Sequence, residues 1–302
     1  MRTARLALPA AFAGLLLPLS ACGTVPPGGG AAGPAVPPVC GPGAPPSPAA
    51  EPGATASPGP DGVTVVGSVG GDRPCAAYSV TNRETEPFTY LVTLAFLSES
   101  GGAVTNVEET VDAVAPGRTV RRTVTAADLP PGAPRVARAR VLTVRSFPTA
   151  EAPAEAGACP ATGVRVYADD GDAAMGLRVV GLHLENCGTR PYRLDGYPRV
   201  EIRDEDHDRV DGVTITRGGE TVAGGTGADG PARPVTLEPG ERAHAGLVWR
   251  NTVEAGVGDP VNAPYARVWA KPGAAPVTVV PEFDIGTTGK LGVGPWKKDE
   301  PR

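Results

Sequence analysis

The chain has 302 residues, enough for two ordinary domains that each bury a core. Charged residues make up 20%, aromatics only 5%, and the net charge is −5, so no basic face is offered to nucleic acid. No long run of like charges marks an acidic tail either.

Arg2 and Arg5 lead into "LALPAAFAGLLLPLSA", an apolar run too short, and too broken by Pro9 and Pro18, to span a bilayer as a helix. The following Leu19-Ser20-Ala21-Cys22-Gly23 resembles the bacterial lipobox. That resemblance implies a lipoprotein signal peptide over 1–21 and a lipidated Cys22. It also implies an acyl anchor in the outer face of the cytoplasmic membrane, with the chain facing the cell wall. Residues 22–61 are expected to be the lipidated cysteine and a tether, since positions 23–61 hold 12 Pro and 9 Gly in 39 residues.

With Cys22 assigned to lipid, Cys40, Cys75, Cys159 and Cys187 remain. An even count in an oxidising compartment reads as two disulfides. Three pairings are formally possible, and chain order favours Cys40–Cys75 and Cys159–Cys187. A cysteine metal site would need Cys-x-x-Cys spacing or nearby His ligands, and neither is present.

From Gly62 onward the chain reads as short strand-like runs such as "FTYLVTLAFL", "RVARARVLTV", "GLRVVGLHLEN" and "RAHAGLVWR", bounded by Gly, Pro or charged turns. No stretch sustains a helical period. The pattern predicts an all-β chain of two tandem immunoglobulin-like β-sandwiches, 62–148 and 158–285, with a linker over 149–157 and a C-terminal tail over 286–302.

An internal repeat points the same way. "SVTNRETEPFTY" at 79–90 aligns without gaps to "HLENCGTRPYRL" at 183–194, sharing Asn, Thr, Pro and an aromatic in one frame. Downstream, "VAPGRTVRRTV" and "LEPGERAHAGLVW" each feed a strand from a Pro-Gly turn. The Asn-to-Pro distance is 34 residues in the first copy and 53 in the second. The surplus is assigned to an inserted loop over 203–234.

The second half, over roughly 158–285, carries Cys159-Pro160-Ala161, Leu182-x-Leu184-x-Asn186-Cys187-Gly188, Leu194-x-Gly196-Tyr197-Pro198 and Leu237-x-Pro239-Gly240. This series resembles "domain of unknown function 4232" of actinobacterial lipoproteins. The resemblance implies an exported β-sandwich with no assigned reaction. Members often place the second cysteine later, close to the Leu of the Gly-Tyr-Pro element, whereas here it is Cys187.

Catalytic constellations are sparse. There is no Gly-x-Ser-x-Gly elbow and no serine beyond Ser146. Cys187 would need a free thiol to act as a nucleophile, and Cys159 is the expected partner. In "DEDHDRVDG", Asp204, Asp206 and Asp208 alternate as in a calcium loop. Arg209 and Ile215, however, stand where such a loop needs Gly and Glu, so a solvated acidic loop is the default. His183 and His244 lie on strands, opposite in parity to their apolar neighbours, and are weak candidates for a metal pair across adjacent strands. Trp249 and Trp269 are expected in the core, and Trp296 as an exposed contact in the tail. No cofactor is expected.

These features predict a non-catalytic, lipid-anchored envelope protein whose β-sandwiches bind an unknown envelope protein or polymer, with the membrane reached through the N-terminal lipid. A small-molecule or metal-capture lipoprotein is the alternative reading, and an envelope hydrolase the third.

Overall fold

A computed structural model describes residues 57–58, 62–70, 73–127, 129 and 131–300. The expectations for the signal peptide, Cys22, most of the tether and Cys40 lie outside the described residues. Among the described residues the chain is all β, with no α-helix.

The N-terminal half contains β1 (Ser57–Pro58), β2 (Val63–Val69), β3 (Cys75–Thr81), β4 (Phe88–Ser98), β5 (Ala103–Val114), β6 (Thr119–Thr125) and β7 (Val136–Pro148). Two sheets form, ordered β1-β2-β3-β6 and β5-β4-β7, all antiparallel. Alternation puts Tyr78 and Val80 of β3 against Tyr90, Val92, Leu94 and Phe96 of β4 in one apolar core. Cys75 opens β3 and is disulfide-bonded.

The C-terminal half contains β8 (Val164–Ala168), β9 (Asp172–Ala174), β10 (Leu177–Asn186), β11 (Tyr192–Leu194), β12 (Arg199–Arg203), β13 (Thr214–Arg217) and β14 (Val235–Leu237). It continues with β15 (Arg242–Arg250), β16 (Val261–Ala263), β17 (Tyr265–Trp269), β18 (Val277–Val279), β19 (Phe283–Gly286), β20 (Lys290–Val293) and β21 (Lys297–Lys298). Its main sheet runs β13-β20-β15-β10-β8, with β9 and β21 added at the ends of β10 and β15. Smaller sheets, β11-β14, β12-β17-β18 and β16-β19, complete the half. A separate core is built from Leu182, Leu184, Leu247 and Trp249 of the main sheet and from Ile202, Ala266, Val268 and Phe283 elsewhere in this half.

The repeat is structural. β10 lies between β8 and β15 as β3 lies between β2 and β6. Phe88 pairs with Val114, and at the matching positions Tyr192 pairs with Leu237. The inserted stretch 203–234 is more than a loop, because its β13 runs parallel to β20 and closes the main sheet.

Residues 286–300, the described part of the expected 286–302 tail, are not a free tail. β20 and β21 both pair with β15, and the Trp296 side chain is 1% exposed, its indole N–H donating to Ala270 O at 2.9 Å. The Gly- and Lys-rich composition concealed a strand that finds its partner about 45 residues upstream, a non-local pairing with no local signature. Trp269 also departs from expectation. Ala266, Val268 and Ala270 take the inward positions, so Trp269 faces outward, with Arg199 4.3 Å and Arg267 5.1 Å from its ring centre. Trp249 is buried in the core, as its strand pattern predicts.

Candidate functional site

Cys187 follows the last residue of β10 and is bonded to Cys159, with the two Cα atoms 5.7 Å apart. This bridge ties the segment entering β8 to the end of β10. Beside it the buried Asn186 donates from Nδ2 to Arg190 O at 2.9 Å and Leu237 O at 2.8 Å, and its Oδ1 accepts the Gly188 N–H at 3.2 Å. The Gly196-Tyr197-Pro198 corner receives the Trp296 backbone N–H at Gly196 O, so it anchors the last strand of the sheet. The stretch 184–198 is a fastened turn, and a sulfur in a disulfide is no nucleophile.

His183 and His244 are register partners on β10 and β15. The row continues to Tyr167 on β8 and Lys297 on β21, and all four share the outer face of the main sheet. The two imidazoles are drawn apart. His183 stacks on Tyr167, with ring centres 5.0 Å apart, and its Nε2 lies 2.9 Å from Asp169 Oδ2. His244 turns the other way, with Nδ1 2.6 Å from Asp299 Oδ1. Asp169 is fully engaged, since its Oδ1 also accepts the Gly171 and Gly181 N–H groups at 3.0 and 2.8 Å. Gly181 leaves room for this carboxylate, since a Cβ there would lie 2.4 Å from Asp169 Oδ2 and displace it from its partners. Among the described residues no group of three or more His, Cys, Asp or Glu side chains is placed to hold a metal ion.

The acidic loop has a structural task. Asp204 Oδ1 accepts the N–H groups of Asp206 and Asp208 at 3.1 and 2.9 Å, folding the loop on itself. That turn drives His207 into a left-handed conformation, φ 64°. Its ring then stacks on Tyr265 at 4.8 Å, meets Phe88 edge-on at 5.4 Å, and places Nε2 3.3 Å from Ser146 Oγ. Phe88 and Ser146 belong to the N-terminal half, so Asp204, Asp206 and Asp208 position a wedge between the halves.

Two further fastenings flank His207. Arg145 grips Glu282 with Nε and Nη2, at 2.5 and 2.9 Å from its carboxylate oxygens, and Glu282 is itself left-handed at φ 53°. The contact to Glu282 holds the Arg145 guanidinium above its ordinary pKa. In the 3₁₀ turn Thr149–Glu151, the Glu151 carboxylate pairs with the Arg267 guanidinium and accepts from Thr278 Oγ1 at 2.9 Å. Tyr265 adds to the joint by accepting the Ser146 N–H at its hydroxyl, with N and O 2.9 Å apart. The expected linker 149–157 is thus docked over 149–154, from Thr149 N–H on Pro87 O to Ala154 N–H on Val166 O, and 155–157 are exposed.

These contacts leave a cleft of about 610 Å³ between the halves. One wall is the outward face of the β5-β4-β7 sheet, through Leu91, Thr93, Glu108, Thr143 and Arg145. The other is formed by Tyr167–Asp170 at the end of β8, Val279 of β18, and the residues up to Glu282. Partial burial raises the Tyr167 pKa above its ordinary value, and nearby Glu155 acts in the same direction against Arg242. Sequence reasoning missed this cleft, because no residue pattern reports how two sandwiches sit against each other.

No curated protein matches the chain. Residues 159–297, from the first cysteine of the bridge to the start of β21, match the family described as "Domain of unknown function (DUF4232)", the family whose pattern the Asn-Cys-Gly and Leu-x-Gly-Tyr-Pro elements carry.

Proposed function

We propose that the protein is a non-catalytic lipoprotein on the outer face of the cytoplasmic membrane, displaying two immunoglobulin-like modules that bind a partner in the cell envelope. The cleft between the two halves carries this reading, since about 610 Å³ lies within the range of ligand-binding sites and its walls are fastened together by Arg145, Glu151 and His207. The lipobox-like Leu19–Gly23 segment supports the anchor, and the Cys159–Cys187 bridge supports an oxidising compartment. The strand orders β2-β3-β6 against β5-β4-β7, echoed in the second half, support the immunoglobulin-like comparison. Recognition by such a sandwich is an analogy at the level of fold.

The test uses the full-length chain and its Cys22→Ala variant in a bacterial host, followed by labelled-palmitate incorporation, fractionation and pull-down. Label and membrane retention that depend on Cys22, with an enriched envelope component, are expected. Unlabelled, soluble wild-type protein would overturn the anchor, and a pull-down that enriches nothing would overturn the binding role.

A further inference from the structure

Aromatic rings hold the cations at one end of the C-terminal half. The Arg199 guanidinium lies 4.3 Å from the Trp269 ring centre, the Lys271 ammonium 3.7 Å from that of Tyr192, and the Arg217 guanidinium 5.6 Å from that of Tyr197. Trp296 brings these groups together. Its backbone N–H meets Gly196 O beside Tyr197, and its indole N–H meets Ala270 O, between Trp269 and Lys271. Lys271 also donates to Arg193 O at 3.0 Å, which adds the exposed Arg193 side chain to the group. Arg199 pairs with Trp269 at one end of the β12-β17 ladder, whereas Tyr265, which accepts from Ser146 at the joint, pairs with Arg203 at the other. The cations therefore lie at the end far from the N-terminal half.

Elsewhere in this half guanidinium groups are neutralised, Arg165 by Glu185, Arg178 by Asp284 and Arg267 by Glu151. A ring fixes a cation without cancelling its charge, and it leaves N–H groups for an external acceptor. Among the described residues Arg193, Arg217 and Lys271 form no ion pair, and Arg199, its side chain 70% exposed, meets Glu201 at 3.6 Å. Asp195 is the one acidic residue from Arg190 to Arg199, and none occurs from Pro260 to Pro281. The local sign is thus positive in a chain whose net charge is −5. With one cation on each of three rings, the charge is spaced out to match a row of anions.

We propose that this end of the C-terminal half binds a phosphodiester-bearing polymer of the cell envelope. Arg199 and Arg217 grip phosphate oxygens through their planar forks, and Arg193 and Lys271 add charge along the chain. Tyr192, Tyr197 and Trp269 are partly buried and carry cations on their faces, so they offer a bilayer little apolar surface to take up. The surface is separate from the cleft, and only its placement in the envelope rests on the anchor proposed above.

The probe is poly(glycerol phosphate) titrated into the full-length chain in non-ionic detergent, with polyglutamate of equal length as a comparison and micelles doped with phosphatidylglycerol as a competitor. Binding is expected to weaken with salt and to fall about tenfold in the Arg199→Gln/Arg217→Gln/Lys271→Gln variant. The Arg118→Gln/Arg138→Gln/Arg140→Gln variant loses the same charge from the N-terminal half and should bind as the wild type does. No binding of the polymer, equal binding by the first triple variant, or an equal loss in the second would each overturn the proposal. Polyglutamate binding as tightly would overturn the phosphate preference, and displacement of the polymer by phosphatidylglycerol at equal phosphate concentration would overturn the polymer in favour of a lipid surface. Polymer binding by a chain that incorporates no palmitate would keep this surface and discard the anchor, and the reverse result would keep the anchor and discard this surface.

Discussion

Asn82 and Asn186 make the same set of hydrogen bonds in the two halves of the chain. Each donates to the carbonyl four residues ahead, Glu86 and Arg190, and to the carbonyl just before a Pro-Gly turn, Val114 and Leu237. Each accepts at Oδ1 the N–H two residues on, from Glu84 and Gly188. Their main-chain carbonyls take the N–H of Gly117 and Gly240, both left-handed. One amide thus closes the hairpin and locks it to the next strand. Replacing either residue by Ala is expected to cost about 2–3 kcal/mol, because it orphans the buried carbonyl of Val114 or Leu237 and removes two further hydrogen bonds of the turn. Asp should be no better, since it sets an acceptor against both carbonyls. Urea unfolding of the four variants checks this.

The Cys159–Cys187 bridge closes a loop with a sequence separation of 28. Replacing both cysteines by Ser should therefore destabilise the chain by about 3–4 kcal/mol, chiefly by freeing the unfolded state. The measurement is denaturant unfolding of the double variant. Reductant is unsuitable, because Cys75 is also disulfide-bonded.

At the joint, the Glu151 side chain is 13% exposed and serves Arg267 and Thr278 together. Glu151→Ala should cost about 1–3 kcal/mol and raise amide exchange across 149–157, with the two cores still protected. Arg145→Ala removes a more exposed pair, whose Glu282 side chain is 52% exposed, and should cost at most about 1 kcal/mol. Hydrogen-exchange mass spectrometry separates the two variants, and equal exchange in both would refute this ranking.

Trp296→Ala should destabilise by about 3–5 kcal/mol, as expected for a fully buried aromatic. Truncation before β20 should do more, because β13 and β15 would both lose a pairing strand. A thermal midpoint unchanged by Trp296→Ala would show that the last strands add little.

Local patterns were legible in the sequence and distant pairings were not. The Asn-to-aromatic frame showed itself because its hydrogen bonds span two and four residues. The strand parity of His183 and His244 was legible too, and they are register partners. Their carboxylates, Asp169 and Asp299, stand 14 and 55 residues away, so the separation of the two rings could not be read. Trp269 was misplaced because an alternating strand shows two faces without saying which is inward. The acidic loop resembled a cation site because its turn chemistry uses the same carboxylates, and only the structure shows His207 packed between Phe88 and Tyr265.

Tyr78 predicts an alkaline limit for the N-terminal core. Its side chain is fully buried, and among the described residues its hydroxyl has no hydrogen-bond partner. Burial, reinforced by Glu109, pushes its pKa from 10.0 up to about 12. Above pH 10 the unfolded chain releases this proton while the folded chain keeps it, so the unfolded state binds fewer protons and stability falls as pH rises. The contribution is complete below about pH 10 and is lost as pH climbs toward about 12. Tyr78→Phe removes both the titration and an unsatisfied hydroxyl. It should therefore leave stability at neutral pH equal or higher and flatten the fall between about pH 10 and 12. Thermal unfolding of both proteins across that range tests the assignment, and parallel losses would place the alkaline sensitivity in other groups.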